Sequence, residues 1–208
     1  MLNKKLNKQM PAKLLKVHQL TLVKNNPFAR LVAPSTQGAL PETTLLPLLL
    51  DEERQCLYGH LARNNPVLPL MSPGSRVLAL FDGGHQYVSP RWHPEQKVPT
   101  WNYACVQLTC TPVIIEAAEE KLALVNDMSR FFDPTWPLEE ILAPQFAGCL
   151  QQMLNAICVF RLDILAGAGR FKLGQRKSPD YHTTIAGFMQ QQGKEQLALW
   201  QGQPPQEY

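Results

Sequence analysis

The chain has 208 residues, an apolar fraction of 45% and a net charge of +3 from 20 basic and 17 acidic side chains. That length suits one domain, with or without a small appendage, and the apolar fraction supplies a core. The charge is too weak to argue for nucleic acid by itself, no run of about 18 apolar residues marks a membrane span, and the lysine-rich start lacks the apolar middle of a signal peptide.

Residues 1–10 read as a disordered, basic N-terminus. Six lysines fall in the first 24 residues (Lys4, Lys5, Lys8, Lys13, Lys16 and Lys24). They make either a solvated, frayed end or a contact with an anionic surface. His18 to Asn25 reads as a short helix, stopped at Asn25-Asn26-Pro27 because proline cannot continue it. Phe28 to Val32 reads as a first strand and Ser35-Thr36-Gln37-Gly38 as a turn. Ala39 to Leu50 is a second strand broken at Pro41 and Pro47, which suits an edge or a bulge. Gln55 to Ala62 is a third strand, running into the polar turn Arg63-Asn64-Asn65-Pro66. Arg76 to Phe81 is a compact apolar strand. Asp82-Gly83-Gly84 is a hairpin signal, with His85 to Ser89 returning. Pro90 to Pro99 is a loop.

Thr100 to Ile115 is the clearest strand. Asn102, Ala104, Val106, Leu108 and Cys110 fall on one face, which is mostly apolar and suits a core. Trp101, Tyr103, Cys105, Gln107, Thr109 and Thr111 fall on the other. That second face sets two aromatics beside several hydrogen-bonding groups, which suits a ligand or a partner subunit. Glu116 to Phe132 is helical, with Leu122, Val125, Met128 and Phe132 on one stripe. A second helical stretch, Leu138 to Ala156, is interrupted by Pro144. Cys158, Phe160, Leu162 and Ile164 alternate as a strand, and Ala166-Gly167-Ala168-Gly169 reads as a turn back into Arg170 to Leu173. Ser178-Pro179-Asp180 caps a last helix to about Gln192. The residues divide into the N-terminus 1–10, a domain over 11–192 with inserted helices, and a loose polar tail over 193–208. About seven short strands with late helices predict a small, mostly antiparallel barrel with peripheral helices.

The five cysteines (Cys56, Cys105, Cys110, Cys149 and Cys158) form no CxxC pair and read as reduced structural thiols of a cytoplasmic protein. No phosphate-binding loop, dinucleotide fingerprint, nucleophile elbow or HExxH pattern is present. The five histidines (His18, His60, His85, His93 and His182) lack ligand spacing and read as packed or solvent-facing rather than metal-bound. A hydrolase with its own nucleophile is therefore not expected, and no recognition helix stands out.

Three segments are unusual for pure scaffold: Gly59 to Pro66, His85 to Trp92, and Val98-Pro99-Thr100-Trp101-Asn102-Tyr103. Each sets hydrogen-bonding and aromatic groups at a strand end, where barrels place ligands. Arg63 can grip a phosphate with two parallel hydrogen bonds, or form a surface salt bridge. Trp92 and Trp101 suit either a ligand or hydrophobic packing.

In this order, and with Pro27-Phe28-Ala29, Leu46-Pro47-Leu48-Leu49-Leu50-Asp51 and Phe171-Lys172-Leu173 with Gln175, these segments resemble the PaiB family of FMN-binding split-barrel proteins. The resemblance runs from about Pro11 to Met189. It implies a six-stranded antiparallel split barrel, a homodimer with flavin at the subunit interface as in related split barrels, and a label of negative transcriptional regulator. Fold alone does not fix function. The chain departs from the family pattern at Leu45, at Gln107 and Cys110, and at Gly174 and Arg176.

Two functions compete. In a flavin-binding dimer with a regulatory or redox role, Arg63 and Lys172 meet the FMN phosphate. Thr43, Thr44, Ser89, Thr100 and Asn102 supply hydrogen bonds, and Trp92, Trp101 or Tyr103 flank the ring. The resemblance adds His60, Asn65 and Gln175 as candidates. The cofactor would carry the redox chemistry, making any enzyme a flavin-dependent oxidoreductase. In the alternative, a cofactor-free interaction protein uses the same barrel, and its aromatics anchor the dimer. Direct DNA binding is a third reading, resting on the N-terminal lysines and the family label.

Overall fold

The computed structural model describes residues 15–35, 40–136 and 143–206. Seven strands form one antiparallel sheet: β1 (Phe28–Ala33), β2 (Glu42–Pro47), β3 (Leu49–Asp51), β4 (Cys56–Ala62), β5 (Val77–Val88), β6 (Thr100–Ile115) and β7 (Ile157–Lys172). Their order is β2-β1-β5-β6-β7-β4-β3. The two edge strands, β2 and β3, are separated in sequence by Leu48 alone. A sheet whose opposite edges are joined by one residue must curl until they meet. Leu48 N donates to Pro27 O at 2.8 Å at this seam. Counting β2 and β3 as one bent strand gives the six-stranded antiparallel barrel that the resemblance implies, and closure removes the open edges. Pro47 falls at the bend, where a missing amide costs no ladder bond.

The period-two pattern decides what fills the barrel. Ala29, Leu31, Ala79, Phe81, Ala104, Val106, Leu108, Phe160, Leu162 and Phe171 point inward and are buried. The inward face of β6 is the one expected from its alternation, and Asn102 is its one polar member. Helices close the periphery. Among the described residues these are α1 (Val17–Asn25), α2 (Ala118–Phe132), α3 (Ala147–Ala156), α4 (Pro179–Gln191) and α5 (Glu195–Gly202). Helix α1 packs on β5 and β6, and α4 and α5 pack together, with α5 reaching β5 and β6. Helix α2 covers the outer side of β4 and β7, where Cys56, Tyr58, Ile115 and Val159 form a second small core with Leu124 and Val125.

Four expectations change. Asp82-Gly83-Gly84 is not a hairpin turn. Val77 to Asp82 and His85 to Val88 pair with the same neighbour, β6, in one continuous strand. Three steps along β5 there match two along β6, so the glycines form a bulge, with Gly84 at φ +95°. Ala166 to Gly169 is likewise no turn but the middle of β7, paired with Val106 to Thr109. Its glycines serve close approach: a Cβ on Gly167 would overlap Leu15 Cδ2, and one on Gly169 would lie 3.1 Å from Gln19 Cγ. The tail does not run loose over 195–202, because α5 buries Leu197, Ala198 and Gln201. The buried stripe of α2 runs through Lys121 and Met128, flanked by Leu124 and Val125, whereas Phe132 is exposed. Lys121 lays its stem along the sheet and carries its ammonium out to Glu116 at 3.1 Å. The helical stretch expected over Leu138 to Ala156 shows, within the described residues, the interruption at Pro144, a 3-10 turn over Pro144–Phe146, and then α3 to Ala156. Residues 138–142, the turn residues Thr36 to Gly38, and 1–10 lie outside the described residues. Ser178 caps α4 as expected, its Oγ accepting from Tyr181 N at 3.1 Å.

Candidate functional site

The candidate residues gather at the two opposite ends of the barrel. Strand β6 shows why. Its start, Thr100, pairs with the end of β5, and Tyr103 pairs with Lys172 at the end of β7. Its end, Ile115, pairs with Val159 at the start of β7, whose Ile157 pairs with Ala62 at the end of β4. Tyr103 and Ile115 are therefore separated by about 40 Å measured along the strand.

At the β4 end, Asn65 Nδ2 donates to Thr44 Oγ1 at 3.1 Å, and Asn65 Oδ1 accepts from Val67 N at 3.0 Å. This joins the polar turn after β4 to β2, with Thr43 exposed on the same strand. Arg63 is exposed, and its Nε donates to Asn155 O at 2.7 Å, at the C-terminal end of α3. His60 sits on β4 with Nδ1 buried and without a hydrogen-bond partner. Burial also pushes its pKa down, so the ring is held neutral.

At the opposite end a basic cleft of about 710 Å³ includes Thr100, Asn102, Lys172 and Gln175 in its lining. Lys172 Nζ donates to Thr100 Oγ1 at 2.9 Å. Gln175 bonds back to Phe171 O and accepts from Leu173 N, shaping the turn after β7. Lys97, Arg176 and Lys177 add positive charge that sequence reasoning did not assign to this site. Lys97 is far in sequence from Arg176 and Lys177, and only the fold brings the loop after Pro94 to the end of β7. Lys177 Nζ donates to Glu95 O at 2.6 Å and lies 5.7 Å from the Tyr181 ring centre. The Glu95 carboxylate accepts from Ser178 N and Oγ, which lowers its pKa.

Asn102 is buried beneath this cleft, donating through Nδ2 to Gln201 Oε1 at 2.8 Å. Ser89 holds the following turn, its Oγ accepting from Arg91 N. Trp92 stacks on Phe188 of α4, ring centres 5.0 Å apart, and packs against the core. Trp101 is 54% exposed on the outer face, in edge contact with Tyr87 at 6.0 Å and near His85 at 5.8 Å.

Tyr103 continues that outer face into a groove of about 490 Å³ across β2, β1, β5 and β6. Leu45 and Leu80 line it with Arg30, His85, Tyr103 and Gln107. The registers Arg30↔Leu45, Arg30↔Leu80 and Leu80↔Gln107 put these residues in one outward row. Arg30 escaped the sequence reading, although its phase, between the inward Ala29 and Leu31, marks it as outward. Two family departures, Leu45 and Gln107, line this groove, and two others, Gly174 and Arg176, line the cleft.

Residues 12–166 match the family described as "Putative FMN-binding domain". The chain belongs to this family. It is 29% identical over 168 residues to "Protease synthase and sporulation protein PAI 2" of Bacillus subtilis (strain 168), covering 78% of this chain and 79% of that protein. Family membership thus agrees with the resemblance to PaiB-type proteins. The fold is similar to the FAD and heme binding protein from Mycobacterium smegmatis (TM-score 0.57, 16% identity, 76% of this chain and 72% of that one). It is also similar to the flavocytochrome Anf3 from Azotobacter vinelandii (TM-score 0.57, 13% identity, 76% and 68%). Identities this low show the split-barrel fold alone.

The cofactor named by the FMN-binding family fits the donors present. FMN combines a flat ring with polar edges and a phosphate dianion. The groove supplies the apolar walls Leu45 and Leu80, the aromatic Tyr103, and the donors Arg30 and Gln107, while Lys172 supplies an ammonium beside Tyr103. Among the described residues, no group of three or more His, Cys, Asp or Glu side chains is placed to hold a metal ion. No helix among them is long and apolar enough to cross a membrane.

Proposed function

We propose that this protein is a flavin-binding homodimer with a regulatory, redox-responsive role, each FMN lying between two copies. The observation that carries this reading is the division of the candidate residues. Thr43, Thr44, His60, Arg63 and Asn65 sit at one barrel end, and Thr100 to Tyr103, Lys172 and Gln175 at the other. No single copy gathers them. A twofold pairing through the outer face of β1, β5 and β6 would set one end of each copy against the opposite end of its partner.

The exposed apolar side chains support the same face. Phe28 (61% exposed), Leu45 (54%), Tyr87 and Trp101 all lie on it. A cluster of this kind marks a covered surface. When bound, FMN supplies hydride and single-electron transfer. The protein's own residues bind and orient it. Lys172 and Arg63 contact the phosphate by charge-assisted hydrogen bonds. Tyr103 and Trp101 flank the ring, and Thr44, Asn65, Thr100, Gln175 and Gln107 meet polar edges. Ser89 and Trp92 act on the site through the turn they hold. The regulatory part of the reading follows the family's label of negative transcriptional regulator, and the B. subtilis relative is named a protease synthase and sporulation protein.

The test is a visible absorption spectrum after FMN addition and desalting, with sedimentation velocity at micromolar concentration. Retained flavin on a dimer is expected, with affinity weakened about tenfold in Arg63→Ala, as for loss of a charged hydrogen bond. A monomer that retains no flavin sinks the reading. A dimer that retains none favours the cofactor-free interaction protein, for which the apolar Leu45 in the groove is the supporting observation.

A further inference from the structure

The polar core beneath the basic cleft is built around one side chain. Gln201, on α5, is fully buried. Its Oε1 accepts from Asn102 Nδ2 at 2.8 Å. Its Nε2 donates to Leu173 O at 3.0 Å and to His182 Nδ1 at 3.0 Å. Both amide hydrogens are used, so His182 must present a bare Nδ1. Burial lowers the pKa of His182, in keeping with that neutral form.

The two groups that Gln201 grips at the strand ends are informative. Asn102 stands between Trp101 and Tyr103, two residues from Thr100. Leu173 follows Lys172. Gln201 thus ties the first residues of β6 to the residue directly after β7, and the adjoining strand ends carry the Lys172–Thr100 hydrogen bond. The hydrogen bonds between β6 and β7 stop near Tyr103↔Lys172. Beyond that pair the sheet ladder no longer holds the two ends together, and the side-chain amide takes over.

The surrounding contacts anchor the clamp. Tyr181 OH donates to Gln96 Oε1 at 2.7 Å, and Gln96 bonds to Val98 O. His93 Nδ1 accepts from Glu95 N at 3.1 Å, so its Nε2 is the donor facing Asp180 Oδ2 at 2.9 Å. The loop after β5, helix α4 and helix α5 therefore form one hydrogen-bonded unit around the cleft.

We propose that Gln201 is a positioning residue of the flavin site, which makes the C-terminal helix Glu195–Gly202 a working part of it. Helix α5 lies outside residues 12–166, the stretch matching the FMN-binding family. Gln201 touches no ligand on this view. It fixes where Thr100 and Lys172 stand, and a displaced ammonium grips a phosphate poorly. The role rests on the flavin reading above.

The test uses the full chain and the variants Gln201→Met and Lys172→Met, singly and combined. Methionine keeps the volume at 201 without the donors. FMN affinity is read by titration, and amide hydrogen exchange is read on the flavin-free protein. Gln201→Met is expected to weaken FMN about tenfold and to speed exchange at Thr100–Tyr103 and Leu173–Gln175 ahead of the centre of β6. In the combined variant the two losses should not add, because Gln201 acts through Lys172. Unchanged affinity in Gln201→Met, additive losses, or exchange raised evenly through the barrel would each overturn the role. A wild-type chain that binds no FMN would instead sink the flavin reading, and the titration of the wild type shows that separately.

Discussion

Gly83 offers a direct test of the continuous β5 strand. An added Cβ there would lie 2.7 Å from Leu22 Cδ1, 3.2 Å from Ala104 Cβ and 3.2 Å from Ala104 O. Leu22 and Ala104 are both fully buried. The Leu22 methyl can turn aside, but Ala104 belongs to the backbone of β6 and cannot. Overpacking of this kind costs about 1–3 kcal/mol, and removing a strand glycine returns about 0.5–1 kcal/mol. Gly83→Ala should therefore destabilise by about 1–2 kcal/mol net, lowering Tm by roughly 2–8 °C at this chain length. Gly187 is the control of opposite sign. It lies inside α4, and nothing stands within 4 Å of an added Cβ. Gly187→Ala should stabilise by about 1 kcal/mol through helix propensity. Thermal unfolding followed by circular dichroism reads both. A hairpin tip at Asp82-Gly83-Gly84 would leave an alanine at 83 in solvent and nearly neutral. A Tm in Gly83→Ala that stays level or rises would therefore refute the bulged-strand packing.

Two further outcomes follow from buried titratable groups. Burial lowers the pKa of both His60 and His182 in the folded chain. Between that lowered value and the ordinary value near 6.5, the unfolded chain binds more protons. Stability should be full above about pH 6.5 and fall as pH drops below it. Denaturant midpoints measured across pH should show the loss, and its absence in the double variant His60→Gln, His182→Gln would assign it. Among the thiols, Cys149 is exposed, while Cys56, Cys110 and Cys158 are buried, and burial pushes Cys110 up to about 12. An aromatic disulfide reagent should thus label Cys149 first in the native protein, with the fast phase gone in Cys149→Ser. A fast phase that survives this substitution would contradict the burial pattern.

The sequence alone determined the local periods and the stops. The alternation from Trp101 to Thr111 separated the inward from the outward face of β6, and Ser178-Pro179 marked the start of α4. The ordered segments from Gly59 to Tyr103 marked the family. These signals are legible because pleat, cap and proline act within a few residues of chain.

Tertiary structure decided what each glycine run was for. Gly83-Gly84 and Gly167 to Gly169 look like turns because glycine permits turns, but glycine also permits close approach. Only the partners, Leu22, Ala104, Leu15 and Gln19, select between the two uses. The polar tail looked loose because Gln196, Gln201 and Gln203 resemble solvent-facing residues. Gln201 is buried because its hydrogen-bonding partners, Asn102 on β6 and Leu173 just after β7, lie 28 and more residues away. The same distance hid the cleft, whose cations arrive from the loop after Pro94 and from the end of β7. Hydrogen-bond satisfaction and charge clustering are pairwise properties, and the partner in each pair is fixed by barrel closure rather than by neighbouring sequence.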